Sequence, residues 1–249
     1  SDVCSSDLGG ASLRRLVGKV TFQTLEEFAE GSVKRSEAIW AEERREMVRL
    51  LRERYHIRDE RVLRAMAGIP RHLFIPETFR PFADPYGDHP SPIGHGQTIS
   101  QPYIVAYMTE KLNPQEGEKV LEIGAGSGYQ SAVLAALGAE VYTIETVPDL
   151  AEHARQVLAE QGFSKVTVRC GDGYAGWPEA APFDVIIGTC SPEDVPSALV
   201  DQLAEGGRMM LPVGLGRQRL VILRRCGDGL MQEDDLPVRF VPMIHPPEA

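Results

Sequence analysis

The sequence is poor in cysteine and shows no arrangement of cysteines that would hold a metal. Cys4, Cys170, Cys190 and Cys226 are widely spread along 249 residues, with no C-x-x-C and no nearby histidine pattern. A zinc site is therefore not indicated, and reduced thiols in a cytoplasmic protein are the simplest reading. Basic residues are also outnumbered. Lys and Arg total 26 against 36 Asp and Glu, a formal net charge of −10. That argues against non-specific nucleic-acid binding, which needs a basic surface to displace counterions. No apolar run approaches a membrane span, and no signal-peptide hydrophobic region precedes the body. Internal repeats and low-complexity tracts are absent from that body.

What is present suits one α/β domain with a modest appendage. Residues 1–8 are polar, repetitive and unpatterned, and resemble a translated sequencing-adapter artefact. Residues 9–40 form an N-terminal extension. Leu13, Leu16, Val17 and Val20 have helical spacing, as do Leu25 and Phe28, which reads as a peripheral helical segment. Residues 41–113 make a helical and irregular region. An amphipathic helix is expected over 41–55, with Met47, Val48, Leu50 and Leu51 as its apolar residues. Asp59 offers an N-cap to a short helix carrying Val62, Leu63 and Met66, which ends at Pro70. Residues 70–96 are rich in Pro, Gly and aromatics and read as an irregular cover. A helix follows over 101–112.

From residue 114 strands alternate with helices. Strands are expected at 119–123, 140–145, 165–169, 183–188 and 207–213, with final strands at 220–224 and 238–242 and a turn at 227–229. Helices are expected at 128–137, 148–161 and 192–203. Alternation of this kind implies parallel pairing through right-handed crossovers. The continuous apolar run Val185-Ile186-Ile187 fits a strand buried on both faces. The body is therefore read as a doubly wound, Rossmann-like α/β sheet.

The first strand ends in Glu122-Ile123-Gly124-Ala125-Gly126-Ser127-Gly128. A glycine-rich turn between a first strand and its helix lets a ligand lie against the backbone. Dinucleotide sites favour G-x-G-x-x-G, with a pyrophosphate at the helix N-terminus. Here the spacing is G-x-G-x-G, and Tyr129 stands where the last glycine would be. Glu122 would sit awkwardly beside a pyrophosphate, but suits the sulfonium and ammonium of S-adenosylmethionine. Glu145, ending the second strand and followed by Thr146, can accept from both ribose hydroxyls. After the third strand, Asp172 can accept the adenine amine and Gly173 gives the ring room. Each element alone is weak; together, at the tips of consecutive strands, they form a site.

The most distinctive stretch is Pro92-Ile93-Gly94-His95-Gly96-Gln97-Thr98-Ile99-Ser100-Gln101-Pro102-Tyr103. It closely resembles the P-I-G-x-G-Q-T-I-S-Q-P signature of the protein-L-isoaspartate O-methyltransferases. Further stretches agree in order: Ile69-Pro70-Arg71 with Phe74, Val120 to Gly124, Gly171-Asp172-Gly173, Ala181 to Asp184, Leu203 to Gly214, and Arg239-Phe240-Val241-Pro242. The resemblance runs from about residue 42 to residue 245. It implies a class I methyltransferase that uses S-adenosylmethionine, releases S-adenosylhomocysteine, and repairs isoaspartyl sites in peptides and proteins. It also implies that Gln97, Thr98, Ile99 and Ser100 line the junction of cofactor and substrate, with Thr98 and Ser100 as catalytic hydroxyls. The cofactor would contact those four residues together with Glu122, Gly124, Ala125, Gly126, Ser127, Gly128, Glu145, Thr146, Asp172 and Gly173. The family's altered order among the last strands is expected, and the family's habit leans towards a monomer.

The nucleophile in that reaction, a carboxylate, is already ionised near neutral pH and needs no general base. Neutral donors would orient it without quenching it, and desolvation and alignment carry the rate. Ser100 has a second reading, as N-cap of the helix beginning at Gln101. The segment Gly188-Thr189-Cys190-Ser191-Pro192 departs from the family pattern, and Cys190 reads as a packing residue more readily than as a reactive thiol. His95 is given a packing or rim role. His56, His72, His89, His153 and His245 have no carboxylate partner identifiable from sequence. Tyr103 and Tyr107 either enclose the site or pack in the core, Trp177 packs at the sheet edge, and Glu233-Asp234-Asp235 reads as a solvated turn. Other readings are a peptide-tailoring aspartate methyltransferase, a non-catalytic cofactor-binding module and a nucleotide-dependent oxidoreductase. The last is disfavoured by Tyr129.

Overall fold

A computed structural model describes residues 22–246 apart from 228, and within that range omits the side chains of residues 22–36 and 82. The readings of residues 1–8, of Leu13, Leu16, Val17 and Val20, of Cys4, and of the side chains of Leu25 and Phe28 lie outside the described residues. The chain parts into two units, Ser1–Glu42 and Glu43–Ala249. Helix α1 (Phe22–Glu53) starts well before the position expected for the amphipathic helix. Of its four apolar residues, Met47 and Leu51 are buried, while Val48 and Leu50 are half-buried.

In the second unit, α2 (Glu60–Gly68) starts as expected, with Asp59 accepting from the Arg61 N–H. It buries Val62, Leu63 and Met66. The cover segment then makes short 3-10 turns at Arg71–Phe74 and Arg80–Phe82. It also contains two strands that the sequence does not announce, β1 (Ser91–Gly94) and β2 (Gln97–Ile99). They pair antiparallel, with Ser91 opposite Ile99 and Gly94 opposite Gln97. His95 and Gly96 between them both have positive φ (53° and 70°), as a two-residue type I′ turn requires. The signature motif is thus a tight hairpin, anchored by buried Ile93 and Ile99.

After it, α3 (Pro102–Leu112) starts on a proline at its first turn and stops at Asn113, which takes the left-handed conformation ahead of Pro114. The body then alternates as expected: β3 (Lys119–Ile123), α4 (Tyr129–Ala136), β4 (Glu140–Glu145), α5 (Pro148–Glu160), β5 (Val166–Cys170) and β6 (Phe183–Gly188). Departures begin at Pro192. The helix expected over 192–203 shrinks to α6 (Ser197–Asp201), because Pro192 and Pro196 cannot donate within it. Strand β7 (Leu203–Val213) begins earlier than expected and carries a bulge where Phe183 pairs with Leu203 and Val185 with Arg208.

Strands β8 (Gln218–Cys226) and β9 (Gly229–Val238) close the chain as an antiparallel hairpin. The final strand is therefore not at 238–242, and Glu233-Asp234-Asp235 is not a turn but the middle of β9. Its apolar residues sit only at the two ends, Leu230 and Met231 at one and Leu236 and Val238 at the other, and the polar run Gln232 to Asp235 between them hides any hydrophobic alternation. The apolar run at 240–242 is instead a strap, tied to the end of β6 by Ser191 N–H to Val241 carbonyl (2.9 Å) and Met243 N–H to Ser191 carbonyl (2.8 Å).

The sheet order is β5-β4-β3-β6-β7-β8-β9, with every strand running the same way except β8. Side chains of β3, β6 and β7 alternate between two cores. Leu121, Ile186 and Met209 face one, which includes Leu199 of α6. Val120, Val185 and Met210 face the other, with Met108 and Leu112 of α3 and Leu134 of α4. The strand order reverses between β3 and β6, which opens a crevice at their carboxyl ends. Trp177 packs at the β5 edge, edge-on to Tyr142 at 5.3 Å and beneath Arg169.

Candidate active site

A cleft lies at that crevice, where open α/β sheets bind their ligands. One wall is the hairpin and its exit, Gln97 to Ser100. The floor is the β3 loop, and the far wall is Glu145 to Val147. Of the residues expected to meet the cofactor, Gln97, Thr98, Ile99, Ser100, Glu122, Gly124, Ala125, Gly126, Ser127, Glu145, Thr146 and Gly173 line it. Gly128 and Asp172 do not. Gly128 is the left-handed N-cap of α4, where an added Cβ would meet Leu158 at 3.3 Å. Its role is to let α4 approach α5.

The loop is held from both sides. Gly124, Gly126 and Gly128 all have positive φ (95°, 51° and 83°), which only glycine adopts freely. Glu145 accepts the Gly126 N–H (2.7 Å) and the Val147 N–H (3.0 Å), which fixes its carboxylate while leaving lone pairs for a ligand. From the opposite side the Thr189 hydroxyl donates to the carbonyls of Gly124 (2.5 Å) and Ile123 (3.1 Å). The segment that departs from the family pattern thus braces the glycine loop. Burial, with Glu145 and Glu122 nearby, pushes the Cys190 thiol up to about 12, so it lines the cleft as an inert neutral group.

Glu122 is fully buried beneath the loop. Desolvation pushes its carboxyl up to about 8, so at neutral pH it is largely a neutral acid. One oxygen meets the Ser131 hydroxyl, while Oε1 is buried without a hydrogen-bond partner. The sequence reading, of a ready carboxylate facing a cation, needs this correction. The group is neutral until something positive arrives. A buried, unpartnered carboxyl oxygen at the floor fits a ligand with a cationic end, and fits a pyrophosphate poorly.

Beyond the end of β5, an added Cβ on Gly173 would meet Ile123 Cγ2 at 2.6 Å and Met243 Cε at 3.0 Å. Asp172 accepts the Tyr174 N–H with one oxygen (2.9 Å) and lies 2.9 Å from His245 Nδ1 with the other. The His245 ring stacks on Tyr174 at 4.2 Å. His245 therefore has a carboxylate neighbour, as do His89 (Asp84, 3.4 Å) and His95 (Asp149, 3.4 Å). These pairings join residues far apart in sequence or across turns. The strap residues Val241, Pro242, Met243 and Ile244 also line the cleft. Sequence reasoning gave Val241 and Pro242 to a strand and did not single out Met243 and Ile244; the one signal was the family-like Arg239-Phe240-Val241-Pro242 stretch.

Ser100 does not cap α3. The cap position is Gln101, whose side chain makes no capping bond, and Asp88 instead accepts the Tyr103 N–H at 3.3 Å. Tyr103 and Tyr107 do not line the cleft. Tyr103 stacks on Tyr55 at 4.2 Å, and the Tyr107 hydroxyl donates to Asp235 at 2.7 Å. Among the described residues no cluster of three His, Cys, Asp or Glu could hold a metal.

A family model described as protein-L-isoaspartate(D-aspartate) O-methyltransferase matches residues 42–247. A curated relative from Gloeobacter violaceus, named protein-L-isoaspartate O-methyltransferase, is 55% identical over 184 residues, covering 73% of this chain and 89% of its own. One from Myxococcus xanthus with the same name is 53% identical, covering 78% and 93%. A solved protein-L-isoaspartate O-methyltransferase superposes with a TM-score of 0.72 at 31% identity, over 80% of this chain and 65% of that one. A Plasmodium falciparum structure described under the same activity, in complex with S-adenosyl-L-homocysteine, also gives 0.72, at 25% identity over 81% and 98%.

Proposed function

Since the chain belongs to the protein-L-isoaspartate O-methyltransferase family, we propose that its cleft brings S-adenosylmethionine and the α-carboxylate of an L-isoaspartyl residue together for methyl transfer. The observation that carries this reading is the cleft itself, which the signature hairpin and the glycine loop line together. The protein is a carboxyl O-methyltransferase of damaged proteins and peptides. S-adenosylmethionine, when bound, supplies a methyl group on a positive sulfur.

The residues divide the remaining work. Glu145 would accept the ribose hydroxyls, Gly173 would lie against the adenine, and Asp172 would reach its amine. Glu122 would take up a negative charge opposite the cationic end. Thr98 is exposed at the rim and Ser100 half-buried deeper in, so their hydroxyls can meet a peptide entering from solvent. Both are neutral donors, which orient a carboxylate without lowering its nucleophilicity. Buried Ile99 and the strap residue Met243 would exclude water from the reacting pair. Residues 41–113 would then be the substrate-side region and 114–249 the cofactor-side region. The acidic charge argues against nucleic acid as a partner, and among the described residues no helix is long and apolar enough to cross a membrane; action in the cytoplasm as a monomer is part of the proposal.

The test is transfer of labelled methyl to two matched peptides, one with L-isoaspartate and one with normal aspartate. Base-labile label on the isoaspartyl peptide alone is expected. Label on neither, or on both equally, would refute the reading.

A further inference from the structure

Arg71 is a fully buried cation without a counter-ion. Its side chain is 0% exposed, and among the described residues it makes no ion pair. Nε donates to the Pro85 carbonyl (2.6 Å) and Nη2 to the Ser100 carbonyl (2.8 Å). The guanidinium lies over the Tyr129 ring at 4.8 Å. Nη1 has no partner at all, and neither has the buried Tyr129 hydroxyl. Burial pulls Arg71 down to about 10, which leaves it charged at neutral pH. Asp84 and Asp88 are the acids that act on it, from beyond ion-pair distance. Asp88 is committed to the Tyr55 hydroxyl, the Gln101 amide (3.0 Å) and the Tyr103 N–H. Asp84 is committed to the Gly87 N–H (3.0 Å) and His89.

A desolvated, unpaired charge costs several kcal/mol, so its place in the fold calls for a reason. Both groups it touches on the cleft side, Ser100 and Tyr129, line the cleft, while Arg71 does not. It stands one layer behind the wall where the peptide carboxylate is expected. We propose that Arg71 is a positioning residue for methyl transfer, fixing Ser100 by its carbonyl and holding an unpaired positive charge behind the carboxylate site. This rests on the isoaspartyl reading given above. The layer between matters. A direct ion pair would quench the nucleophile, whereas a charge behind a carbonyl and a ring draws in the anion and leaves its oxygens free. The fork of the guanidinium serves the first role, and its charge the second.

The test uses the full chain and two ligands that differ by one charge: the isoaspartyl peptide, and the same peptide with its α-carboxylate replaced by a carboxamide, read as a competitive inhibitor. Arg71→Gln is expected to raise the KM of the acid about tenfold, the scale of one charge about 12 Å away in a dielectric near 20, and to leave the amide's inhibition constant within about twofold. An equal loss for both ligands would mean structural damage alone, and an unchanged KM would mean no field; either overturns the proposal. Arg71→Lys keeps the charge and loses the fork. It should hold KM and lower kcat about tenfold, and it decides the matter if Arg71→Gln does not fold, since a raised KM with unchanged kcat overturns the proposal. If the wild-type chain methylates no isoaspartyl peptide, the functional reading fails instead.

Discussion

Replacing Glu122 with glutamine should make the ligand-free protein less sensitive to alkali. An ordinary glutamyl carboxyl titrates at 4.5, and burial moves this one to about 8. Between those values the folded chain holds a proton that the unfolded chain has released. A raised acid therefore stabilises the fold fully below 4.5, and its contribution is lost as pH rises towards 8. The full span corresponds to about 5 kcal/mol as an upper bound, a large part of a domain's total stability. Glutamine fills the same space, is neutral throughout, and can still meet the Ser131 hydroxyl. Glu43 is raised in the same direction, by its own burial and by Asp84, so the comparison of variant with wild type isolates the Glu122 share. The assay is urea denaturation at pH 5.5, 7 and 8.5. Wild type should lose stability across the series by about 3 kcal/mol or more, and E122Q by much less. Parallel curves would show that Glu122 is ionised in the folded protein already. The same variant should bind S-adenosylmethionine less well, because it cannot become negative opposite a cation.

Further outcomes follow from the site and its frame. Ser100→Ala should lower turnover about tenfold or more while calorimetric affinity for S-adenosylhomocysteine holds, since the proposed role of the hydroxyl is to orient the substrate carboxylate; equal turnover would remove Ser100 from the chemistry. Asp172→Ala should weaken S-adenosylhomocysteine about tenfold through loss of the adenine acceptor, and unchanged affinity would confine Asp172 to holding Tyr174 and His245. Arg208 donates to both oxygens of Glu118 (2.9 and 2.7 Å), to Leu112, and to the Asn113 carbonyl (2.7 Å), joining α3 to β7. Arg208→Ala should cost about 3 kcal/mol in urea unfolding. Desolvation works to raise Glu118, but Arg208 and the Gln115 N–H outweigh it and hold the carboxyl low. The stability from this pair is therefore present above 4.5 and lost as pH falls, so the Arg208→Ala deficit should shrink in acid.

Strands buried on both faces were plain in the sequence: β3, β4 and β6 fall on 119–123, 140–145 and 183–188, where apolar runs are bounded by glycine and acidic residues. What escaped has a physical reason in each case. Strands β1 and β2 are short, and their proline and glycines look like loop until the left-handed pair His95 and Gly96 is seen to be a turn. Strand β9 is an edge whose middle, Gln232 to Asp235, is wholly polar, so no period marks it. The 240–242 run is apolar because it covers a cleft rather than because it joins a sheet. In the site, residues next to each other in sequence were legible as motifs. Pairings across the fold were not: Thr189 on Gly124, Arg71 on Ser100 and His245 beside Asp172 exist only once the chain has closed.

Strand β9 ends the sheet, and Glu233 and Asp234 stand exposed on it. An enzyme whose clients are aged, partly opened polypeptides spends its life among stray strands seeking a partner. An uncharged border would invite them to add on, and the repairer would become a seed for aggregation. On this border exposed Leu230 and Met231 are followed, after Gln232, by Glu233 and Asp234, charges of the kind that hinder a stray strand from adding on.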